Sequence, residues 1–475
     1  MKLTILEAIE RKDAFGSLFK MPETWRNWFV FLKYLFALPI KEQSERELIK
    51  SSCGFEKFVR AARPFRECFL ICGRRSGKSF ISALIACYLS IFFDWSKYLS
   101  IGERAYVLII ATDRLQSRII FNYVKGFLNS TPKLRRYIEA ERMDEISLKN
   151  KITIAIKTAS FRSVRGWTTV AAILEEVAFY RNEFSANPDK EILSALRPSL
   201  ATIPESLLLG ISTPYYRSGV LFDQFRKHFG KAGDPLIWKA PTAVMNPTID
   251  QSFINAQLAE DPAAGAAEWL AEFRSDLERF LPSEAVAAAV IPSRLELSFI
   301  REFRYKAFID AAGGSGADAF TLAISHKEKS GAVILDLIRE RRPPFSPAEV
   351  VKEFSDTLKS YGLKSAVGDR YGGEWVKESF REFGVTIKNS ELSKSEIYLE
   401  FLPMILSGQV ELLDDRKLCG QLQNLERRTR SGGRDLVDHP AGLHDDLANS
   451  VAGSCVLNSP KHAGAIFLIG GVDMY

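Results

Sequence analysis

The segment CFLICGRRSGKSFISALIACYLSIFF, residues 68–93, constrains the fold more than any other part of the sequence. An apolar run typical of a buried strand leads into a glycine-containing loop, and an apolar helical stretch follows it. The loop ends in Gly-Lys-Ser, as does the phosphate-binding pattern G-x-x-x-x-G-K-[ST], although Cys72 stands at the first glycine position. In such loops the backbone N–H groups and the start of the helix bind the phosphates of a nucleotide.

The strand before the loop and the helix after it favour an ATP site over a turn that merely exposes a lysine. We expect Lys78 to reach the outer phosphates and the Ser79 hydroxyl to bind magnesium. The candidate ATP-binding residues of the loop are Gly73, Arg74, Arg75, Ser76, Gly77, Lys78 and Ser79.

Two further apolar strands end in polar side chains. The strand TTVAAIL is followed by Glu175 and Glu176. Next to a phosphate loop, the first carboxylate is expected to support magnesium and the second to activate water. The strand SLLLGIST ends in Ser212 and Thr213, whose hydroxyls can sense a γ-phosphate. Alone, the glutamate pair is also typical of a helix start. The segment that ends in Ser212 and Thr213 is, alone, also typical of an ordinary turn. Both predictions therefore depend on the neighbouring phosphate loop.

The order of apolar runs predicts an α/β fold. Up to about residue 213, buried strands alternate with helices, which is typical of a parallel sheet covered on both faces. After residue 300, three strands joined by short turns precede a strand–helix alternation, which predicts a mixed sheet. At 475 residues the chain is too long for one ordinary core. The predicted organisation is a helical lead-in at 1–55, an ATPase domain at 56–280, a linker at 281–300, a second domain at 301–458 and a tail at 459–475.

The second domain carries carboxylates where elements end or begin. Asp310 ends the strand YKAFID, Asp369 ends KSAVGD, and Asp445 and Asp446 begin the last helix. Each aspartate alone is more often a cap or turn residue. Together they predict a site for two metal ions, magnesium or manganese, that cleaves a phosphodiester. Helical phase places Asp445 at the edge of the apolar face and turns Asp446 away, which favours Asp445 as the ligand and catalytic residue.

Charge alone does not identify a partner. The net charge of +6 is only mildly basic. A local cluster of arginines is therefore more informative than the net charge of the chain. Such a cluster is also typical of a solvated helix end and loop. Its members, candidate contacts to DNA phosphates, are Arg427, Arg428, Arg430 and Arg434.

Cysteine spacing and the apolar segments exclude other classes of protein. The six cysteines form no CxxC pair, so reduced cytosolic thiols are expected rather than disulfides or a zinc site. The most apolar early segment, residues 28–40, is too short to span a bilayer and contains Lys33. We therefore expect neither a secretory signal nor a membrane partner.

An ATP motif followed by a nuclease-like carboxylate set resembles the large terminase subunit of tailed bacteriophages. The likeness covers nearly the whole chain. The segments that carry it are TWRNWFVFLKYLFALPI, GRRSGKS with its Arg74, FRSVRGWTTVAAILEEVAFY, STP, FIDAAGGSGADAFTLAI, AVGDRYGG and GRDLVDHPAGLHDDLANSVAG. Asp318 stands where the family often has a further acidic residue, and Glu175 replaces the usual aspartate. The resemblance implies a coupling role for Ser212 and Thr213 and an RNase H-like fold for the second domain.

The implied function is ATP-driven translocation of double-stranded DNA into a procapsid, with endonuclease cutting of concatemers. Implied partners are a portal protein, a small terminase subunit and further copies of this chain in a ring, in the cytoplasm of a host that carries the phage or prophage. One alternative is a helicase or translocase whose second domain only binds DNA, in which the aspartates have no role. Another is a scaffold with both sites inactive, against which the intact Lys78, Ser79 and Glu176 argue.

Overall fold

The computed structural model describes most of the chain. It covers residues 3–112, 114–159, 166–180, 188–274, 276–314, 316–369, 373–429, 435–440 and 442–459. These form two compact units, one up to Asp276 and one from Leu277. The finer boundaries expected from the sequence stay a prediction. Within the described part of the chain, every helix is too short or too polar to span a bilayer.

The first unit is built on an eight-stranded sheet with the order β3-β4-β5-β2-β6-β7-β1-β8. Six strands run parallel, and β3 and β4 form an antiparallel edge hairpin. The strands are β1 (Glu67–Cys72), β2 (Ala105–Ala111), β3 (Ile138–Glu141), β4 (Glu145–Leu148), β5 (Ile152–Thr158), β6 (Thr169–Glu175), β7 (Leu207–Ser212) and β8 (Leu236–Ala240).

Helices cover both faces of this sheet, as the near-continuous apolar strands require. In β1, Cys68, Leu70 and Cys72 pack on one side and Phe69 and Ile71 on the other. The helices are α1 (Ile5–Glu10), α2 (Arg26–Leu35), α3 (Gln43–Cys53), α4 (Lys78–Phe92), α5 (Arg114–Asn129), α6 (Pro132–Arg135), α7 (Pro188–Ala201), α8 (Gly219–His228), α9 (Thr242–Met245), α10 (Gln251–Glu260) and α11 (Pro262–Leu270).

The second unit contains a mixed sheet with the order β14-β13-β10-β11-β12-β15 and a small sheet with the order β17-β16-β9. Strands β10, β11 and β12 are antiparallel neighbours, whereas β13 and β14 run parallel to β10. The strands are β9 (Leu277–Arg279), β10 (Tyr305–Asp310), β11 (Phe320–Lys327), β12 (Val333–Arg341), β13 (Ser365–Gly368), β14 (Thr386–Asn389), β15 (Val410–Glu411), β16 (Glu426–Thr429) and β17 (Asp435–Asp438). This is the RNase H-like arrangement, so the predicted fold class is confirmed.

The mixed sheet is also packed on both faces. Helices α13 and α14 contribute to one core, and α12, α15, α16 and α17 contribute to the other. A Cβ atom on Gly453 would lie 2.4 Å from Phe308 Cγ, so a glycine is needed for α17 to pack this closely on β10. The helices are α12 (Ser283–Ala289), α13 (Pro347–Ser360), α14 (Gly373–Glu382), α15 (Lys394–Leu406), α16 (Arg416–Asn424) and α17 (Asp446–Val456).

Candidate functional site

The phosphate-loop candidate leaves the end of β1 and enters α4, as predicted. Its backbone approaches the start of α9 so closely that a Cβ atom on Gly73 would lie 2.2 Å from Thr242 Oγ1. Arg75 takes a left-handed conformation with φ 61°, which costs a non-glycine residue energy. A strained, closely packed loop of this kind is held in one shape by its surroundings.

Side chains distant in the sequence hold the loop by its carbonyl oxygens. Thr242 Oγ1 donates to Arg74 O at 2.8 Å, and Asn246 Nδ2 donates to Arg75 O at 2.8 Å. The buried Trp28 Nε1 donates to the carbonyl oxygen of Ser76 at 2.7 Å. Sequence reasoning missed these three supporting residues, and the only signal for them was the tryptophan-rich segment before the loop.

Lys78, the first residue of α4, points back toward the strand ends. Its Nζ donates to Cys72 O at 3.0 Å, Gly73 O at 3.2 Å and Thr213 Oγ1 at 2.8 Å. Glu176 Oε1 lies 3.8 Å from the same nitrogen. The ammonium group therefore connects the loop with the ends of β6 and β7.

Glu175 at the end of β6 lies beside the start of α4. Ser79 Oγ donates to Glu175 Oε1 at 2.7 Å. Burial raises the pKa of Glu175 to about 7, and the negative charge of Glu176 adds to the rise, whereas Ser79 and Lys78 oppose it. Glu175 Oε2 is buried and finds no hydrogen-bond partner among the residues the structure describes. A hydroxyl and an unpaired carboxylate oxygen are donors that suit magnesium.

Glu176 is held by the end of β7. Its Oε2 accepts from the backbone N–H of Thr213 at 3.1 Å and lies 2.9 Å from Ser212 Oγ. Glu176 itself has φ 50°, in the left-handed region. The strand order β6-β7-β1 explains why these three strand ends meet, since they are neighbours in the sheet.

A cavity of about 230 Å³ adjoins the loop at Ser76 and Gly77. Its other walls come from the segment before α2, from the last residue of α9 and from the residues that follow α9. Arg74 does not line the cavity, and its guanidinium pairs with Glu268 at 2.9 Å. The remaining lining residues are Met21, Thr24, Trp25, Met245, Asn246 and Thr248.

In the second unit, Asp310 at the end of β10 lies among other carboxylates. Burial raises the pKa of Asp310 to about 8, and the charges of Asp446, Asp369 and Asp445 contribute to the rise. Asn449 Nδ2 opposes the shift by donating to Asp310 Oδ2 at 2.8 Å. Asp369 follows β13, and its N–H donates to Ile309 O at 3.2 Å, which places it beside the end of β10. Mutually repelling oxygen ligands of this kind suit divalent cations.

Both aspartates at the start of α17 are buried. The expectation that Asp446 turns away from the buried side is wrong, because the segment between β10 and β11 covers the start of the helix. Ala319 N–H donates to Asp446 Oδ2 at 2.8 Å. Burial raises the pKa of Asp446, with the charges of Asp318 and Asp445 adding to the effect. Helical phase could not predict this, since it contains no information about a covering segment.

Asp445 has protein partners of its own. Tyr398 Oη donates to Asp445 Oδ2 at 2.8 Å, and Lys394 Nζ lies 3.2 Å from the same oxygen. Lys394 also donates to Asp438 at 2.6 Å. His439 Nε2 lies 3.8 Å from Asp445 Oδ1. Asp445 therefore belongs to a charge network with α15 and β17, which sequence reasoning did not find.

Asp318 lies at the edge of the carboxylate cluster. It is exposed, and its Oδ1 lies 3.2 Å from His444 Nδ1. Ligand atoms of Asp318, His444 and Asp446 all lie within 4.8 Å of one another, a spacing that could hold a metal ion. The accessory position inferred from the resemblance is thus adjacent to the start of α17.

The predicted basic cluster is only partly described. Arg427 and Arg428 lie on strand β16 rather than at a helix end. Arg427 Nε donates to Asp435 at 2.9 Å, and Arg428 lies 3.8 Å from Glu426. Arg430 and Arg434 lie outside the described residues. Pairing with carboxylates reduces the charge that Arg427 and Arg428 can offer to a phosphate.

Comparison with known proteins bears directly on the first unit. Residues 53–230 match the family model "Terminase large subunit, ATPase domain". This part of the chain is similar to the ATPase domain of terminase large subunits. The resemblance drawn from the sequence is thereby confirmed over this range, which includes the loop and the ends of β6 and β7. No curated protein sequence matches the chain.

Solved terminase structures resemble the chain weakly. The large terminase of bacteriophage HK97 is 14% identical over 90% of this chain and 99% of its own, with a TM-score of 0.38. The ADP complex of a large terminase from a thermophilic bacteriophage is 11% identical over 84% and 95%, with a TM-score of 0.36. The magnesium-bound large terminase nuclease of thermophilic phage G20c is 15% identical over 36% and 93%, with a TM-score of 0.31. Similarity at this level does not assign a function.

Proposed function

We propose that this chain is the catalytic subunit of a DNA-packaging motor, which hydrolyses ATP in its first unit and cleaves DNA in its second. The observation that carries the proposal is the convergence of Lys78, Glu176 and Thr213 beside the phosphate loop, within a terminase ATPase domain. A loop lysine, a carboxylate and a hydroxyl from neighbouring strand ends are the parts that phosphoryl transfer to water needs.

In the proposed ATPase reaction, residues 73–79 bind the phosphates and Lys78 neutralises charge on the outer ones. Ser79 and Glu175 would hold magnesium, which supplies further charge neutralisation when bound. Glu176 orients the attacking water, because Ser212 and the Thr213 N–H fix its carboxylate. Thr213 also contacts Lys78. A movement of Lys78 when the γ-phosphate is lost would therefore be transmitted to the end of β7 through the Thr213 hydroxyl.

The cavity beside the loop is proposed as the site of the nucleoside. It is lined by Trp25 and Met245, which offer apolar and aromatic surface, and by Asn246 and Thr248, which offer hydrogen bonds. A mostly apolar pocket with a few polar groups is typical of sites that bind a base or ribose. Its position at Gly77 is consistent with one nucleotide spanning both sites.

In the proposed nuclease reaction, Asp310, Asp369 and Asp446 would hold magnesium or manganese. Such ions stabilise the attacking and leaving oxygens of a phosphodiester. Asp445 is assigned a positioning role at the same site, because Tyr398 and Lys394 already engage it. Asp318 is proposed as an accessory acidic residue.

The proposed partners are double-stranded DNA, a portal protein, a small terminase subunit and further copies of this chain in a ring on a procapsid. The proposed location is the cytoplasm of the phage host. Arg427 and Arg428, with Arg430 and Arg434, remain weak candidates for DNA contacts. These assignments rest on the family of the ATPase domain.

The test pairs one substitution in each unit of the full chain. Lys78→Ala should abolish ATP hydrolysis while metal-dependent plasmid cleavage persists, and Asp310→Asn should do the reverse. ATP turnover is measured by phosphate release, and cleavage by conversion of supercoiled plasmid with magnesium or manganese. If Asp310→Asn and Asp369→Asn cleave at the wild-type rate, the second unit is not the nuclease and the alternative of a DNA-binding domain is favoured. Unchanged ATP turnover in Lys78→Ala would contradict the first half.

A further inference from the structure

One face of the mixed sheet is covered on only part of its width. Phe308 of β10 packs against Gly453 of α17, which identifies the face that this helix covers. The strand register identifies the residues of the outer strands that lie on the same face. Phe308 pairs with Val367, and Val367 pairs with Lys388. On β13 and β14, Ser365, Thr386 and Lys388 are exposed on this face. Among the described residues of this unit, the outer two strands therefore present an open surface.

This open surface is basic. Lys306 lies two residues before Phe308 and so points to the same face as Phe308 and Lys388. Burial lowers the pKa of Lys306, and the positive charges of Lys388 and Arg304 lower it further. Within the described chain, Lys306, Lys388 and Arg304 form no ion pair with a carboxylate. Clustered cations without acidic partners are a site for an anion supplied from outside.

The open face reaches the carboxylate cluster along β13, where Ser365, Val367 and Asp369 alternate on this face, whereas Phe308 of β10 is covered by α17. Asp310 lies four residues after Lys306 on the same strand and face, a separation of about 13 Å at 3.3 Å per residue. Lys388 lies two strands from Phe308, or about 10 Å across the sheet. Separations of this size are short compared with a bound duplex, so one DNA backbone can contact these lysines and the carboxylates together.

We propose that the face of β10, β13 and β14 bearing Lys306 and Lys388 binds the phosphate backbone of double-stranded DNA beside the cleavage site. The inference rests on the proposed nuclease function, because it places the reacting phosphodiester at Asp310. Cations remote from the carboxylates hold neighbouring phosphates, which fixes the position of the scissile one. The main competing occupant, an acidic protein surface, carries carboxylates but has no phosphodiester to place at Asp310.

The salt dependence of DNA binding tests the proposal. The full chain and its variants are titrated against a short fluorescein-labelled duplex, with EDTA present to prevent cleavage, from about 50 to about 200 mM salt. Each phosphate contact contributes about 0.9 to the slope of log K against log salt, so Lys306→Ala combined with Lys388→Ala should reduce its magnitude by about 1.8. Contacts elsewhere in the chain are common to all variants and cancel in the comparison.

The control is Lys352→Ala, on the exposed side of α13, which packs on the opposite face of the sheet. It should leave the slope unchanged. The pair Lys306→Gln and Lys388→Gln preserves side-chain size and should reproduce the alanine result, which excludes a loss of folding as its cause. An unchanged slope in both double variants would overturn the proposal and leave an acidic protein surface as the occupant.

A second variant separates this inference from the nuclease assignment. Asp310→Asn should retain DNA binding with at least the wild-type salt slope, because it removes no cation, and should lose cleavage. If Asp310→Asn still cleaves DNA, the nuclease assignment fails whatever the lysine variants do. If Asp310→Asn loses cleavage but the lysine variants keep the wild-type slope, only the DNA-binding surface is wrong.

Discussion

Replacing Ser212 by alanine should slow ATP hydrolysis without preventing ATP binding. The Ser212 hydroxyl lies 2.9 Å from Glu176 Oε2 and 2.7 Å from Thr213 O. Ser212→Ala removes this contact and leaves the N–H of Thr213, which follows β7, as the remaining backbone donor at 3.1 Å. The carboxylate proposed to orient water then has more freedom, whereas residues 73–79 are unchanged.

The size of the effect follows from one hydrogen bond to a charged group, which contributes about 1.5–3 kcal/mol. Each 1.36 kcal/mol of transition-state stabilisation is about a factor of ten in rate. Because the hydroxyl is shared between Glu176 and the Thr213 carbonyl oxygen, we expect the lower part of this range. The kcat of Ser212→Ala should fall about 10- to 30-fold, and KM should change by less than about threefold.

The assay is steady-state phosphate release with saturating DNA, accompanied by equilibrium binding of a fluorescent ATP analogue. Ser90→Ala is the matched control, since Ser90 is also fully buried but its hydroxyl donates to Ala86 O within α4. A kcat for Ser212→Ala within twofold of wild type would refute the role assigned to the hydroxyl. A loss of nucleotide binding equal to the loss of rate would show instead that β7 supports the binding loop.

Three further outcomes are expected. Glu176→Gln should bind magnesium-ATP yet hydrolyse it about 10²- to 10⁴-fold more slowly. Glu175→Gln should weaken magnesium-dependent binding, and Glu175→Asp should retain much of the activity. Nucleotide affinity with and without magnesium decides the two roles, and the opposite pattern would mean that the roles are exchanged. Asp446→Asn should reduce manganese affinity, measured by calorimetry, more than Asp445→Asn does, because protein donors already engage Asp445; the reverse order would restore Asp445 as the ligand. Although burial alone raises the pKa of Glu45, hydrogen bonds from a lysine of α2 and from two backbone N–H groups lower it overall, so Glu45→Gln should cost about 1–2 kcal/mol of unfolding free energy at pH 7. This stability is present above the unfolded pKa, near 4.5, and is lost as the pH falls through the lower folded value, so denaturation curves of variant and wild type should converge in acid.

Local patterns predicted the elements that carry the proposed chemistry. The strands that end at Cys72, Glu175 and Ser212 are short apolar runs between polar segments, and the sequence locates each end within about two residues. Parallel strands bring their carboxyl ends to one edge of a sheet, so a meeting of these residues could be predicted in outline. Which strands are neighbours could not, because pairing depends on contacts between segments far apart in the chain.

The start of α17 shows where local reasoning fails. Helical phase separated Asp445 from Asp446 by direction, yet both are buried. The reason is that the segment ending at Ala319 covers one of them and Tyr398 of α15 covers the other. A helical wheel describes one helix in isolation and contains nothing about what packs on its first turn.

The sequence by itself determined most element types, the presence of a parallel and a mixed sheet, and the identity of the candidate site residues, since these depend on periodicity and on local motifs. Only the tertiary structure decided how those residues are supported. Trp28 and Thr242 hold the carbonyl oxygens of a loop that lies 48 and 168 residues away in sequence. Likewise, Lys306 and Lys388 share one open face only because β13 lies between their strands. Hydrogen bonds and charge clusters form between atoms that are close in space, and proximity across the chain arises only when the whole core packs.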